Sequence, residues 1–172
     1  EICGGIVLSE QNWRVAFCRG HGSIRLGELF QRKRQDAMCM TLAAVLKQSL
    51  LAVYRANIET GPYRTDQASV GKRSLKNTCL GYLSELEDDD IRDLCLRQYR
   101  EAGNMTDSIA ALVDVANSEW PVREQALAAF HDKWKNDALV MDKWLAIQST
   151  SRLPGTLARV GELRPLRPAP TP

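Results

Sequence analysis

Two histidines four positions apart on one helix, with a glutamate after the first, would hold zinc on one face and activate a water for hydrolysis. The sequence has no such pair: its histidines are His21, followed by Gly22, and His131, followed by Asp132, 110 positions apart. The cysteines Cys3, Cys18, Cys39, Cys79 and Cys95 contain no Cys-x-x-Cys pair. Gly71-Lys72 resembles the end of a phosphate-binding loop, but Asp66 stands where the first glycine of that loop belongs. Gly20-His21-Gly22 lacks the third glycine of a dinucleotide fingerprint, and no Gly-x-Ser-x-Gly elbow occurs. The acidic run from Glu85 to Asp90 lacks the spacing and glycine of a calcium loop and suits the positive N-terminal end of a following helix. Arg32-Lys33-Arg34 reads as a solvated cluster. No catalytic, substrate-binding or metal-ligating residue is assigned, and no cofactor is expected in this chain.

The elements that would carry these residues are helices. One is expected from about Thr41 to Asn57, ended by Gly61-Pro62, and a second from an Asp66 cap to about Ser84, burying Val70, Cys79, Leu80 and Leu83. A third, from Asp90 to Ala102, repeats Ile91, Leu94, Cys95, Gln98 and Tyr99 at helical spacing, with Gly103 suited to a left-handed stop. Thr106 can cap a fourth, bearing Ile109, Leu112, Val113 and Ala116. Pro121 fits the first turn of a fifth, burying Val122, Ala126, Ala129, Phe130 and Trp134. A sixth runs from about Ala138 to Ser149 with Val140, Trp144 and Ile147. Short loops make neighbouring helices antiparallel. The expected fold is all-α: helical hairpins over residues 41–150 stacked as an α-solenoid. Residues 1–40 are expected to be irregular, with Ile6-Val7-Leu8 and Val15-Ala16-Phe17 as candidate short strands. Residues 151–172 hold five of the seven prolines and read as an extended Pro/Arg-rich tail.

The chain has 172 residues, 44% hydrophobic and 26% charged, as in globular domains. Its 23 basic and 21 acidic residues leave a net charge of +2, which predicts no general attraction to nucleic acid or to an anionic membrane. No run of about 18 apolar residues is expected to span a bilayer, and no signal peptide is read at the start. Five widely spaced cysteines suit reduced thiols and a cytoplasmic location. His131 reads as a partly buried structural residue, Cys79 and Cys95 as small hydrophobes, and Phe130, Trp134 and Trp144 as core.

One stretch goes beyond composition. Gly71-Lys72-Arg73-Ser74-Leu75-Lys76-Asn77-Thr78-Cys79-Leu80 resembles a helix in the C-terminal domain of the bacterial-type aminopeptidase N family. There the pattern is a basic pair, a leucine, then basic-Asn-x-x-Leu. Asn104-Met105-Thr106-Asp107 resembles that family's Asn-x-Thr-Asp helix start. His131-Asp132-Lys133-Trp134 and Leu139-Val140-Met141-Asp142-Lys143-Trp144 resemble its paired Lys-Trp segments, and Ile147–Ser151 and Leu50–Tyr54 also fit. The resemblance covers about residues 42–153; Leu157, Val160 and Leu163 read as a remnant beyond it.

The resemblance implies a non-catalytic part of a zinc aminopeptidase that removes N-terminal residues from peptides. Zinc would sit in a separate catalytic domain, the expected partner, and this helical part would shape the substrate chamber. The family's chamber-lining Asn-Pro-Asn-Arg and Asn-Pro-Gln segments do not occur here, so no substrate contact is carried over. The start at Glu1 and the fading of the pattern at both ends read as a fragment from a truncated or frame-shifted gene. The alternative reading is a free-standing helical-repeat adaptor for a protein partner; a third is an enzyme with an unrecognised site.

Overall fold

A computed structural model describes residues 26–163 apart from Glu87, with side chains from Asp36 onward. The candidate strands, Cys3, Cys18, His21, Gly20-His21-Gly22, the side chains of Arg32-Lys33-Arg34 and residues 164–172 lie outside the described residues. The chain divides into two units, residues 1–35 and 36–172, and the packed core belongs to the second. Seven helices and no strand occur among the described residues: α1 (Leu26–Ala56), α2 (Gln67–Ser84), α3 (Asp89–Glu101), α4 (Met105–Ala116), α5 (Arg123–Trp134), α6 (Ala138–Ser149) and α7 (Thr156–Leu163).

Local signals set most of the boundaries. Asp66 caps α2 by accepting from the Ser69 amide at 3.1 Å, and that bond holds its carboxyl below the ordinary carboxylate range. Asp137 caps α6, accepting from the amides of Leu139 and Val140, both at 3.1 Å. Asp89 and Asp90 fill the first turn of α3, where the helix dipole favours them. Gly61, at φ +142°, takes the chain through a conformation closed to residues with a Cβ, before Pro62.

The core runs through α4. This helix packs against α2, α3, α5 and α6. Its Ala111, Leu112, Val115 and Ala116 have no accessible surface. The two alanines let neighbouring backbones approach, while Leu112 and Val115 fill the space between Leu80 and Leu83 of α2, Ile91 and Cys95 of α3 and Leu127 and Phe130 of α5 within one cluster. Trp144 of α6 closes the far end, its indole N–H donating to the Leu127 carbonyl at 2.9 Å. Phe130 and Trp144 are core as expected, and Trp134 is half-buried, with the Lys133 ammonium 5.3 Å from its ring centre.

Several expectations need correction. Residues 26–40 are helical, not irregular: α1 starts fifteen residues before Thr41. Among the described residues, one stretch is apolar enough to span a bilayer by length and composition, Asp36–Ala56, with mean hydropathy 1.5. Lys47 in its middle interrupts the apolar run in sequence, yet one charge is too few to lower the average. The tail is not wholly extended, because α7 forms between Pro154 and Pro165, where neither proline falls inside it. Gly155 at φ +86° makes the entry turn, and Leu163 is buried while Leu157 is exposed. Val70 is exposed, since the buried face of α2 runs Ser69, Arg73, Lys76, Leu80 and Leu83, about 100° away around the helix. On α5 the same offset buries Leu127 in place of Ala129. Asn104, not Thr106, caps α4, and Gly103 has no left-handed φ. The α3–α4 turn is only three residues long, so the chain swings directly from Ala102 into the Asn104 cap.

Leu112→Ala is expected to lower unfolding free energy by about 2–5 kcal/mol, as a cavity at a fully enclosed site does, whereas Val70→Ala changes it by less than about 0.5 kcal/mol. Urea denaturation of both variants measures the contrast.

Candidate functional site

The charged and amide side chains of the two best-matched segments meet at one place. Lys76 and Asn77 lie on consecutive positions of α2, and Asn104 and Asp107 stand at the start of α4. Asp107 is buried and accepts from Lys76 Nζ at 2.7 Å, Asn77 Nδ2 at 2.9 Å and Asn104 Nδ2 at 2.9 Å. Its amide donates to Asn104 Oδ1 at 2.9 Å, which is the α4 cap. Gln98 of α3 joins the set: Nε2 donates to Asn77 Oδ1 at 2.8 Å and to the Asp107 carbonyl at 3.1 Å. Tyr54 of α1 completes it, its hydroxyl donating to Gln98 Oε1 at 2.9 Å. Four helices thus share one hydrogen-bonded junction.

Its electrostatics follow from burial. Desolvation raises the Asp107 carboxyl, but the bonds from Lys76, Asn104 and Asn77 and the Lys76 charge outweigh it and hold the group below its ordinary value. Burial, reinforced by Cys95 and Asp107, pushes the Tyr54 phenol up to about 12, so it stays a donor. Every polar atom that could act as base or nucleophile is already engaged. The junction positions α1, α2, α3 and α4 relative to one another.

A cleft of about 390 Å³ opens beside the junction, between the loop after α1 and the α3–α4 turn. Arg73 forms one wall, buried, paired with Glu59 at 3.2 Å and stacked 4.6 Å above the Tyr63 ring centre. Its charge is thereby neutralised within the chain.

The residues with metal or nucleophile potential are not brought together. His131 lies half-buried, its ring 5.0 Å from that of Trp144 and Nδ1 3.4 Å from Asp132 Oδ1. Burial raises the thiols of Cys79 and Cys95, which sit in the core, and of Cys39, which Glu85 and Asp36 raise further; thiolates are suppressed at all three. No group of three His, Cys, Asp or Glu side chains suited to a metal occurs among the described residues, so the donor set there does not fit zinc. Gly71-Lys72 lies inside α2 and forms no loop.

One acid stands apart. Asp114 of α4 has an Oδ2 that is enclosed without a hydrogen-bond partner. Its Oδ1 lies against Gly81 of α2, where an added Cβ would come within 3.7 Å. Burial and then Glu85 push its carboxyl up to about 8, against the opposing pull of Arg152 and Ser84. Arg152 itself bridges Glu85 and Asp36, the latter at 3.0 Å, tying α6's exit to α2 and α1.

This architecture, stacked antiparallel helices around a central helix with no strand among the described residues, is that of a helical-repeat domain. The chain belongs to the family described as DUF3458_C, a domain of unknown function with ARM repeats, whose model matches residues 30–166. That match extends beyond residues 42–153 at both ends and takes in residues 30–40, where the sequence motifs show no resemblance. Aminopeptidase N of Escherichia coli (strain K12) is 38% identical over 126 residues, 73% of this chain and 14% of the relative. Aminopeptidase N of Haemophilus influenzae is 38% identical over 109 residues, 63% of this chain and 12% of the relative. The chain therefore spans about a seventh or less of the length of these curated relatives. A crystal structure of Legionella pneumophila aminopeptidase A in complex with aspartic acid superposes with a TM-score of 0.67 at 24% identity, over 77% of this chain and 16% of that one, which shows the fold.

Asp107→Ala leaves the Lys76 ammonium buried and unpaired and is expected to cost about 3–5 kcal/mol in urea denaturation. The Lys76→Met/Asp107→Leu double variant should lose less. The two acids bend the pH profile in opposite senses. The stabilisation from Asp107 is present above its ordinary value of 3.8 and is lost as pH falls through its lower folded value. That from Asp114 is fully present below 3.8 and is lost as pH rises to about 8. Asp114→Asn should therefore raise the melting temperature more at pH 8 than at pH 5.

Proposed function

We propose that this chain serves as a non-catalytic helical part of a zinc aminopeptidase, packing against the catalytic domain and shaping the chamber that admits peptides. The observation that carries the reading is the alignment of most of the chain with aminopeptidase N at 38% identity. The junction suits a structural part: Lys76, Asn77, Gln98, Asn104 and Asp107 bond to one another and fix how the helices meet. Zinc would be held by the catalytic domain and would polarise the scissile carbonyl there. The peptide substrate would be met only in the assembled enzyme. A cytoplasmic location fits thiols that stand as free cysteines at Cys39, Cys79 and Cys95.

The purified chain is expected to release no fluorophore from an alanine amide substrate, with or without added zinc. Zinc-dependent turnover by the chain alone would overturn this reading, because it requires a metal site and a base within these residues.

A further inference from the structure

The cleft of about 390 Å³ beside the junction has a polar floor. Tyr54, Arg73, Lys76, Gln98 and Asp107 meet there, each no more than 7% exposed. The two cations among them are charge-balanced yet have donors to spare. A lysine ammonium carries three N–H groups. That of Lys76 makes one bond among the described residues, to Asp107 at 2.7 Å. An arginine guanidinium carries five. That of Arg73 makes one such bond, to Glu59 at 3.2 Å, with the Tyr63 ring against its face. Buried donors left unmet are costly, so whatever fills the cleft must accept from them. At the rim, Arg97 and Glu101 stand one turn apart on α3, both exposed and neither in an ion pair among the described residues. Ile58, Pro62 and Leu94 give the cleft apolar walls.

We propose that this cleft binds a free α-amino acid with an aliphatic side chain, its carboxylate received by the spare donors of Arg73 and Lys76 and its ammonium by Glu101. The inference goes beyond the functional reading and does not depend on it, because the cleft lies wholly within this chain. Charge selects the ligand class. Arg73, Lys76 and Arg97 are matched by Glu59, Glu101 and Asp107, so the lining is balanced as it stands. A bare anion would add a charge beside three carboxylates. An apolar ligand would leave the floor donors unmet. A zwitterion satisfies donors and acceptors together and leaves the balance unchanged. The volume lies at the small end of the range for ligand pockets, which suits a single amino acid. The apolar walls suit an aliphatic side chain rather than a charged one.

The test titrates L-leucine, leucinamide and N-acetyl-leucine into the full 172-residue chain. The readout is the NMR shift of the Gly61, Gly103 and Asn104 amides, which line the cleft. L-Leucine at up to about 10 mM is expected to shift all three towards saturation. Leucinamide, which lacks the carboxylate, should bind about tenfold more weakly, as loss of charge-assisted bonds to buried donors implies. N-acetyl-leucine, which lacks the ammonium, should lose about threefold, because Glu101 is exposed and its ion pair is screened. Glu101→Gln, a change at the surface, should weaken L-leucine by the same factor and leave N-acetyl-leucine unaffected. Amides that do not respond to L-leucine overturn the inference. So do equal responses to all three compounds, which would mean that neither charge is read. N-acetyl-leucine binding as tightly as L-leucine would make the cleft a plain carboxylate site and likewise overturn it, as would a Glu101→Gln chain that binds L-leucine unchanged.

Discussion

The carboxylate of Asp107 is the constraint on which the arrangement of the first four helices depends. A buried ionised acid is tolerable only when its lone pairs are met by donors and its charge is balanced. Here the balance comes from α2, the donors from α2 and the α4 cap, and the next bond outward from α3, which in turn holds Tyr54 of α1. An apolar contact between two helices tolerates a slide along the axis. This junction does not. Moving α2 by one residue would place Asn77 where Lys76 stands and leave a buried ammonium without a partner. The hydrogen bonds therefore fix register, while Leu80, Leu83, Leu112 and Val115 supply most of the burial.

The second half of the chain is organised differently. Around α5 and α6 most buried residues are apolar, and the Trp144 indole and the buried Gln148 amide both donate to backbone carbonyls. Arg159 of α7 reaches back to Gln148 at 3.1 Å and Glu124 at 3.0 Å, so α7 is held by a charge at its middle as well as by buried Leu163. Arg152 performs a similar service at the exit from α6, where its backbone amide donates to Asn117 Oδ1 at 3.0 Å and its guanidinium reaches Asp36 and Glu85. One cation there faces three carboxylates once Asp114 is counted. Burial first, and then the Glu85 charge, push the Asp114 carboxyl up against the pull of Arg152.

Much of this was legible in the sequence, and for local reasons. Asp66 announced α2, and the acids after Glu87 announced α3, because caps and dipole contacts depend only on neighbours in the chain. The all-α stacking followed from helix lengths and short loops. The junction was legible only as isolated motifs: Lys76-Asn77 and Asn104–Asp107 stood out, but nothing in the sequence said that they touch across two helices. Gln98 lay on the buried face by spacing alone, and its polar role depends on Tyr54, 44 positions earlier. The misplaced cap at Thr106 and the misassigned Val70 and Ala129 have a common origin. One residue of error in phase rotates a helix by about 100°, and in a short helix too few apolar residues exist to correct it. The start of α1 was missed because the sequence between Leu26 and Met40 shows no strong apolar period.

That last failure carries structural information. Periodicity finds a helix by the contrast between its two faces, on the assumption that the apolar one points to the core. In α1 the inward positions include Asp36, Lys47 and Tyr54, while Met38, Leu42 and Val45 point away. Read as a surface helix, the segment has the wrong side facing water. Its inner side is fixed by complementary partners on α3, after α2 and after α6, each through a single specific bond. The same inversion explains why its composition passes for a membrane span. Few charges are needed in a helix whose polar duties are met by single well-placed residues.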